Sequence, residues 1–481
     1  MTHSPARCSI VPPYLLAALA ASGDDHVARR ADATLRTDTE LRRGRRTAEA
    51  RPGGTTLPGG AAGTAAGPQR TVHDAQQGTT LPGVRVRGEG EPATADVAVT
   101  EAYDGLGATW QLWQDAYGRN SLDGKGLPLV ATVHYGRDYD NAFWDGTQMV
   151  FGDGDGEIFL GFTRSLDVIG HELAHGVTQY TAGLTYQGQS GALNESVSDV
   201  FGVLVKQHSL GQDAASADWL IGADLLAPGV KGVALRSMAA PGTAYDDPRL
   251  GKDPQPAHLR DYVETTEDNG GVHINSGIPN KAFHDLAVAL GGNAWEVAGQ
   301  VWFDTIVGEI RADCDFATFA GLTLAAATAR HGEGSREAEA VRAAWTGVGV
   351  EVGTPAGSPG APTPGSPAPG TPAPGNPDAP SAPAPGTELE VRRTGGFAGR
   401  TRTRTVALGD LPEPDGQAWH ELIATDRLRA LAAGVERDYP DAYCYGVRCA
   451  APDLDVTVPE PALTDDVRDL FERTLRPGAD G

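Results

Sequence analysis

The chain has 481 residues and a formal net charge of −24, a length that suits about two to four domains and an acidity that excludes a nucleic-acid partner. Four cysteines, Cys8, Cys314, Cys444 and Cys449, are too few and too scattered for a disulfide framework, and no apolar run is long enough to span a membrane. The charge is uneven: residues 1–70 hold ten Arg against six Asp and Glu, net +4, which leaves −28 for the remainder.

The opening stretch RCSIVPPYLLAALAASG has the apolar run of a signal peptide, but Pro12 and Pro13 interrupt it and Arg7 is its single charge. Residues 1–50 contain a short amphipathic head, and PGGTTLPGGAAGTAAGPQ (52–69) is a Gly/Ala/Pro linker. GTTLPG occurs at 54–59 and again at 78–83; two copies do not make a repeat architecture. From 71 to 352 the composition is globular. A helical period covers 95–118, strand-like alternation follows over 127–136 and 147–162, and helical patterns cover 165–180, 192–209, 276–290, 294–311 and 316–330. Strands first and helices afterwards read as an α+β, two-lobed domain. A Pro-rich spacer fills 353–387, and strand and helix patterns resume over 388–481.

In RSLDVIGHELAHGVTQY the helical spacing puts His171 and His175 one turn apart on one face, where both imidazoles reach one ion. Glu172 is turned aside, where it can hold a water molecule instead of the metal. Twenty residues after His175, GALNESVSDVFG offers Glu195 as a third ligand, and Asp199, four residues on, can accept an N–H from a ligating histidine. Three protein ligands leave a fourth position open, which is a catalytic arrangement. In EDNGGVHINSG, His273 lies in a Gly-rich loop where it can donate to an oxyanion, with Asp268 placed to orient it.

These segments resemble the thermolysin-like neutral metalloproteases in NAFWDGTQMVFGDGDG (141–156), HELAH, YTAGLTYQGQSGALNESVSD (180–199), LRSM (235–238) and DNGGVHINSG (268–277). The resemblance spans roughly 70–352. It implies a β-rich N-lobe (70–206) carrying the zinc helix, and an α-helical C-lobe (207–352). It also implies one catalytic zinc on His171, His175 and Glu195, with Glu172 activating the water. Tyr186 and His273 would stabilise the oxyanion, Asp268 supporting His273, and Arg236 would bind the carbonyl on the primed side. Asn141 and Ala142 would bind the peptide backbone, and Phe162, Val168, Ile221, Leu225 and Leu235 would form an apolar pocket for the residue after the scissile bond. Protein and peptide substrates, a monomeric state and secretion without a standard signal peptide are expected. A zinc aminopeptidase would carry a G-x-M-E-N segment, which is lacking, and intact Glu172, Tyr186 and His273 argue against an inactive binding protein.

One departure stands out. Of the family's paired calcium site Asp167 and Asp218 remain, but Lys206, Leu220 and Ala223 take the other positions, and Val233 replaces an acid at a second site. Calcium needs six to eight oxygens, so strong calcium dependence is not expected.

The head CSIVPPYLL resembles the short propeptide of the protealysin branch of this family. Residues 1–69 are therefore expected to be an autoprocessed propeptide and linker that lies in the cleft, with Cys8 as a soft zinc ligand beside the rigid Pro12–Pro13 pair. Over 388–481, ELEVRRTGGFAGRTRTRTVAL reads as two strands around a Gly-rich turn, with Arg400, Arg402 and Arg404 alternating onto one face. QAWHELIATDRLRALAAG and VPEPALTDDVRDLFERTL read as helices. RRTGGFAGRTR, PDAYCYGV and LTDDVRDLFERTL resemble emfourin, a small inhibitor of protealysin-like enzymes, which would place this chain's own C-terminal domain in its cleft. The alternative is a domain that binds cell wall, matrix or substrate.

Overall fold

Pro13 opens helix α1 (Pro13–Ala20), because a proline at the first helical position has its fixed φ already set and loses no hydrogen bond. Helix α2 (Asp25–Glu49) follows. The computed structural model describes residues 9–49, 67–352, 387–395, 402–424, 428, 443–450, 453–459 and 463–475, divided into the units Met1–Ala361 and Pro362–Gly481. Cys8 and Arg400 lie outside the described residues. Ile10, Val11, Leu15, Leu16 and Leu19 are buried and share one core with the lobes that follow. The apolar run that imitates a signal peptide is thus packed into the fold.

The first sheet is built from β1 (Arg70–Asp74), β2 (Val84–Gly88), β3 (Leu129–Val133), β4 (Ala142–Trp144) and β5 (Met149–Phe151), in the order β2-β1-β3-β5-β4. Its three central strands are parallel and both edge strands antiparallel. Helix α3 (Val97–Tyr117) packs on it, capped at its start by the Asp96 carboxylate on the Val99 N–H and ended by Gly118 at φ 61°. The strand expected over 147–162 stops at Phe151. Beyond it Gly154 and Gly156 adopt φ of 70° and 72°, and the Asp155 carboxylate accepts from the N–H groups of Glu157, Ile158 and Phe159. These turn bonds compete with strand pairing and win.

Asp96 has a second role. Its other carboxylate oxygen lies 2.9 Å from His134 Nε2, and Asp153 lies 2.7 Å from His134 Nδ1. The Asp153 hydrogen bond, followed by that of Asp96, raises the His134 imidazolium to about 9. A raised histidine stabilises the fold fully below its unfolded value of about 6.5 and loses that contribution as pH rises through the folded value. The melting temperature should therefore fall between pH 7 and 9.5. His134→Gln should start lower and show a flatter alkaline limb in a thermal-shift titration; an unchanged slope would rule this source out.

Helices α4 (Leu166–Gln179) and α5 (Gly188–Leu210) form the floor of the catalytic unit. They approach closely because Gly202 has no side chain: a Cβ there would meet the Asp167 carbonyl at 2.4 Å. The lobe boundary expected at 206/207 falls inside α5, where residues 190–207 form an unbroken buried run. Two short pairings follow, β6 (Leu220–Ile221) with β7 (Arg236–Ser237) and β8 (Asp246–Asp247) with β9 (Gly251–Lys252). The helical part contains α6 (Asp268–Asn275), α7 (Gly277–Leu290), α8 (Ala298–Val307), α9 (Phe316–His331) and α10 (Arg336–Gly347). Trp302 and Trp345 stack at 6.0 Å in its centre, with Phe319 edge-on to both. Helix α8 is shorter than its period predicts. Helix α10, outside the expected set, starts where Ser335 caps the Ala338 N–H.

The second unit is a four-stranded antiparallel sheet, β11-β10-β12-β13, of β10 (Glu388–Gly395), β11 (Arg402–Ala407), β12 (Tyr443–Ala450) and β13 (Asp453–Pro459). Helices α11 (Glu413–Ala424) and α12 (Asp465–Leu475) complete its separate core. Trp419 meets Phe471 edge-on at 4.9 Å, and its Nε1 donates to Thr474 Oγ1 at 2.8 Å. Arg402 is exposed, whereas Arg404 turns to donate to the Thr474 carbonyl at 2.9 Å. Cys444 and Cys449 are not bridged to each other. Five residues apart on one strand, they point to opposite faces.

Candidate active site

The residues singled out in the sequence converge where α4, α5 and α6 meet β4. His171 Nε2 and His175 Nε2 are 3.1 Å apart, and Glu195 Oε2 and Oε1 lie 3.6 and 3.5 Å from them respectively. All three side chains are buried. The outer nitrogens are already committed: His171 Nδ1 faces Asp199 Oδ1 at 2.8 Å, and His175 Nδ1 faces Asn194 Oδ1 at 2.8 Å and Ser198 Oγ at 3.0 Å. With both Nδ1 atoms donating outward, each Nε2 presents a lone pair to the other and to a carboxylate. Such an arrangement has no internal proton to share and calls for a cation. These three groups are the one cluster among the described residues whose ligand atoms all lie within 4.8 Å of one another. Two imidazoles and a carboxylate at this spacing fit zinc.

The electrostatics agree. Burial, with the neighbouring His171 and His273 charges, lowers His175 to about 4, leaving it neutral and able to ligate. Burial opposes ionisation of Glu195, yet His273, His175, His171 and Arg236 hold it at about 2. For Glu172 burial dominates and the Glu195 charge adds to it, pushing the carboxyl well above its ordinary range; a divalent cation in the triad opposes both effects. Glu172 Oε2 accepts the Trp144 N–H at 2.9 Å, and its buried Oε1 has no protein partner among the described residues.

Asp199 does more than orient His171. It takes a two-point bond from Arg236 (2.9 and 2.7 Å) and a third donor from Asn280 Nδ2 at 2.8 Å. Burial opposes ionisation of Asp199, but the Arg236 charge outweighs it and holds the carboxyl far below its ordinary range. On the other wall Tyr186 Oη donates to Glu195 Oε1 and lies 3.3 Å from His273 Nε2. Residues 268–271 all have positive φ, which turns Asp268 back onto His273 Nδ1 at 2.7 Å and the His273 N–H at 2.9 Å. Gly270 and Gly271 allow that turn. Burial opposes charge on His273, but Asp268 and then Glu195 raise its pKa. Phe162, Val168, Ile221, Leu225 and Leu235 are all buried in the apolar core of the catalytic unit. Asn194, Ser198, Asn280 and the Trp144 N–H are contacts that the sequence reading missed. Only Asn194, adjacent to Glu195, carried a local signal.

The N-terminal head lies along the edge of β4. Ser9 bridges Phe143 in antiparallel sense, and the Ile10 N–H donates to the Ala142 carbonyl at 3.1 Å. The Ile10 carbonyl accepts from Arg236 Nη1 at 3.3 Å. Asn141 grips Val11 twice, Oδ1 accepting from its N–H at 2.9 Å and Nδ2 donating to its carbonyl at 3.1 Å. Farther along the head, Asp38 accepts from Asn141 Nδ2 at 3.0 Å and from Tyr139 Oη at 2.7 Å.

Comparison with known proteins agrees with this geometry. The family described as "Thermolysin metallopeptidase, catalytic domain" matches residues 69–179, and its "alpha-helical domain" matches 182–350. Emfourin matches 391–475. An extracellular metalloprotease of Pectobacterium carotovorum subsp. carotovorum is 52% identical over 347 residues, 72% of this chain and 97% of its own length. Protease PrtS of Photorhabdus sp. is 57% identical over 258 residues, 53% of this chain and 70% of its own. Among solved structures, the precursor of protealysin from Serratia proteamaculans matches with a TM-score of 0.64 at 53% identity, covering 71% of this chain and 99% of its own. With its His-His-Glu centre and both halves of the fold matched, the chain belongs to the thermolysin family: it is a zinc metalloendopeptidase that carries a C-terminal emfourin domain.

Proposed function

We propose that this endopeptidase cleaves on the amino side of bulky hydrophobic residues, and that it is made as a precursor held latent by residues 1–69 and restrained by its own emfourin domain. The observation that carries the latency reading is the backbone pairing of residues 9–11 with β4, Asn141 and Arg236. A substrate strand needs the same partners, so head and substrate compete. The apolar, buried character of Phe162, Val168, Ile221, Leu225 and Leu235 supports the specificity. Extracellular work is proposed from the name of the Pectobacterium relative; among the described residues no helix is long and apolar enough to cross a membrane.

In the reaction His171, His175 and Glu195 would hold zinc, which when bound polarises a carbonyl oxygen and brings a water pKa to about 7. Glu172 Oε1 is buried and has no hydrogen-bond partner among the described residues. It takes the proton of the attacking water and delivers it to the leaving amine nitrogen. Tyr186 Oη and the charged His273 Nε2 donate to the oxygen that gains charge, and Asp268 keeps that proton on His273. Arg236 and Asn141 hold the primed-side backbone, while Asp199 fixes both Arg236 and the His171 tautomer.

Two experiments test the regulation. N-terminal sequencing of fully active enzyme should begin near residue 70; an intact start would end the latency reading. The second unit has its own core and is expected to inhibit when residues 388–481 are added to an enzyme ending near 352. A polyproline chain as long as 353–387 could span on the order of 100 Å at about 3.1 Å per residue, and tethering would give a roughly millimolar effective concentration. The opposite charges of an acidic protease and the exposed Arg402 should make the inhibition weaken with salt. No inhibition at micromolar concentration, with truncated and full-length enzymes equally active, leaves a substrate- or matrix-binding role for the domain.

A further inference from the structure

Beside the backbone-gripping Asn141 lies a guanidinium site. Arg30, on α2 of the head, places Nη1 2.7 Å from Asp138 Oδ1 and Nη2 3.2 Å from Asp140 Oδ1. Its Nε lies 3.4 Å from Asp140 Oδ2, and Nη2 also donates to the Gly154 carbonyl at 3.1 Å. The Asp140 side chain is only 4% exposed and that of Arg30 13%, whereas Asp138 is half exposed. Burial pushes the Asp140 carboxyl up to about 6 even with the Arg30 hydrogen bond lowering it. A carboxyl so placed stays ionised only beside a cation. The three acceptor groups belong to the catalytic lobe, and the cation to a segment that the latency reading removes.

We infer that, once the head has gone, Asp138, Asp140 and the Gly154 carbonyl form a substrate subsite for a basic side chain, arginine above all, on the second or third residue after the scissile bond. The placement follows from strand direction. The head runs antiparallel to β4 with Ile10 on Ala142 and Val11 on Asn141, so the next residues of any chain bound this way run toward Asp140. Calcium would have to draw on several waters to fill its shell here, while a planar guanidinium satisfies both carboxylates and the carbonyl at once, as Arg30 does. The head then holds by two grips: its backbone fills the strand position and Arg30 fills the basic subsite.

This inference rests on the head being shed. The test uses processed enzyme, its N-terminus sequenced, and quenched-fluorescent peptides that differ only in Arg or Gln at the second or the third position after the scissile bond. The kcat/KM ratio of Arg to Gln peptide should be about tenfold at one of those positions. Moving the Arg to the unprimed side controls for general attraction to an acidic enzyme and should give a ratio near one. Asp140→Asn should bring the tenfold ratio close to one, and Asp138→Asn, at a half-exposed position that folding tolerates, should lower it severalfold. An active enzyme that still retains residue 30 overturns both the latency reading and the subsite. A shed head with equal rates for Arg and Gln peptides, or a ratio that survives both substitutions, overturns the subsite alone.

Discussion

Glu172→Gln should cut peptide hydrolysis by about 10³- to 10⁴-fold and leave one zinc per chain. The amide keeps the side chain's volume and can still accept the Trp144 N–H that Oε2 accepts at 2.9 Å, so the helix that presents His171 and His175 is undisturbed. It cannot take a proton. Oε1, the atom with no protein partner among the described residues, is the one whose function is lost. Zinc content by elemental analysis together with casein hydrolysis checks both halves. If processing of the head depends on the same centre, the variant also accumulates as a chain that still begins before residue 10. Residual hydrolysis near the wild-type rate would place the proton transfer elsewhere.

The triad was legible because helical period converts sequence distance into geometry. His171 and His175 must share a face of α4, as Glu195 and Asp199 share a face of α5, whatever else the chain does. The groups that complete the site were not legible for the opposite reason. Asn280 reaches Asp199 from 81 residues away, and the Trp144 N–H that anchors Glu172 comes from an edge strand of the first sheet. No local pattern encodes such closures. Docking of the head was half legible: CSIVPPYLL announced a rigid apolar segment, but its pairing to β4 depends on that strand's free edge. The GDGDG stretch shows local competition in reverse. Its alternation looks like a strand, yet Asp155 gathers three backbone N–H groups into a turn.

Lys206→Met should destabilise the catalytic unit by about 3–5 kcal/mol, the cost of leaving a buried charge without its partner. Read from sequence, Lys206 is a lost calcium ligand. In the fold its ammonium sits among the surviving oxygens, 2.8 Å from Asp167 Oδ2, 3.0 Å from Asp218 Oδ1 and 3.0 Å from the Leu220 carbonyl. Burial opposes its charge, but Asp167 and then Asp218 raise it above the ordinary lysine range, so it stays protonated. Asp167 is fully buried and also accepts from Ser165 Oγ and the Gly222 N–H. It lies one helical turn before His171, and Leu220 opens β6. One amine therefore ties α4, α5 and β6 together, as a metal ion would, without needing calcium in the medium. Thermal unfolding is best measured in the Glu172→Gln background, which removes self-digestion. There, EGTA at a concentration that spares zinc should leave the melting temperature unchanged, and Lys206→Met should lower it by roughly 10 °C whether or not calcium is added. Lys206→Asp restores a third carboxylate to Asp167, Asp218 and the Leu220 carbonyl, and its melting temperature should rise with millimolar calcium where the parent's does not. A fall of tens of degrees on EGTA treatment of the parent would show that a calcium ion bound elsewhere, and not this lysine, holds the two helices at the zinc centre.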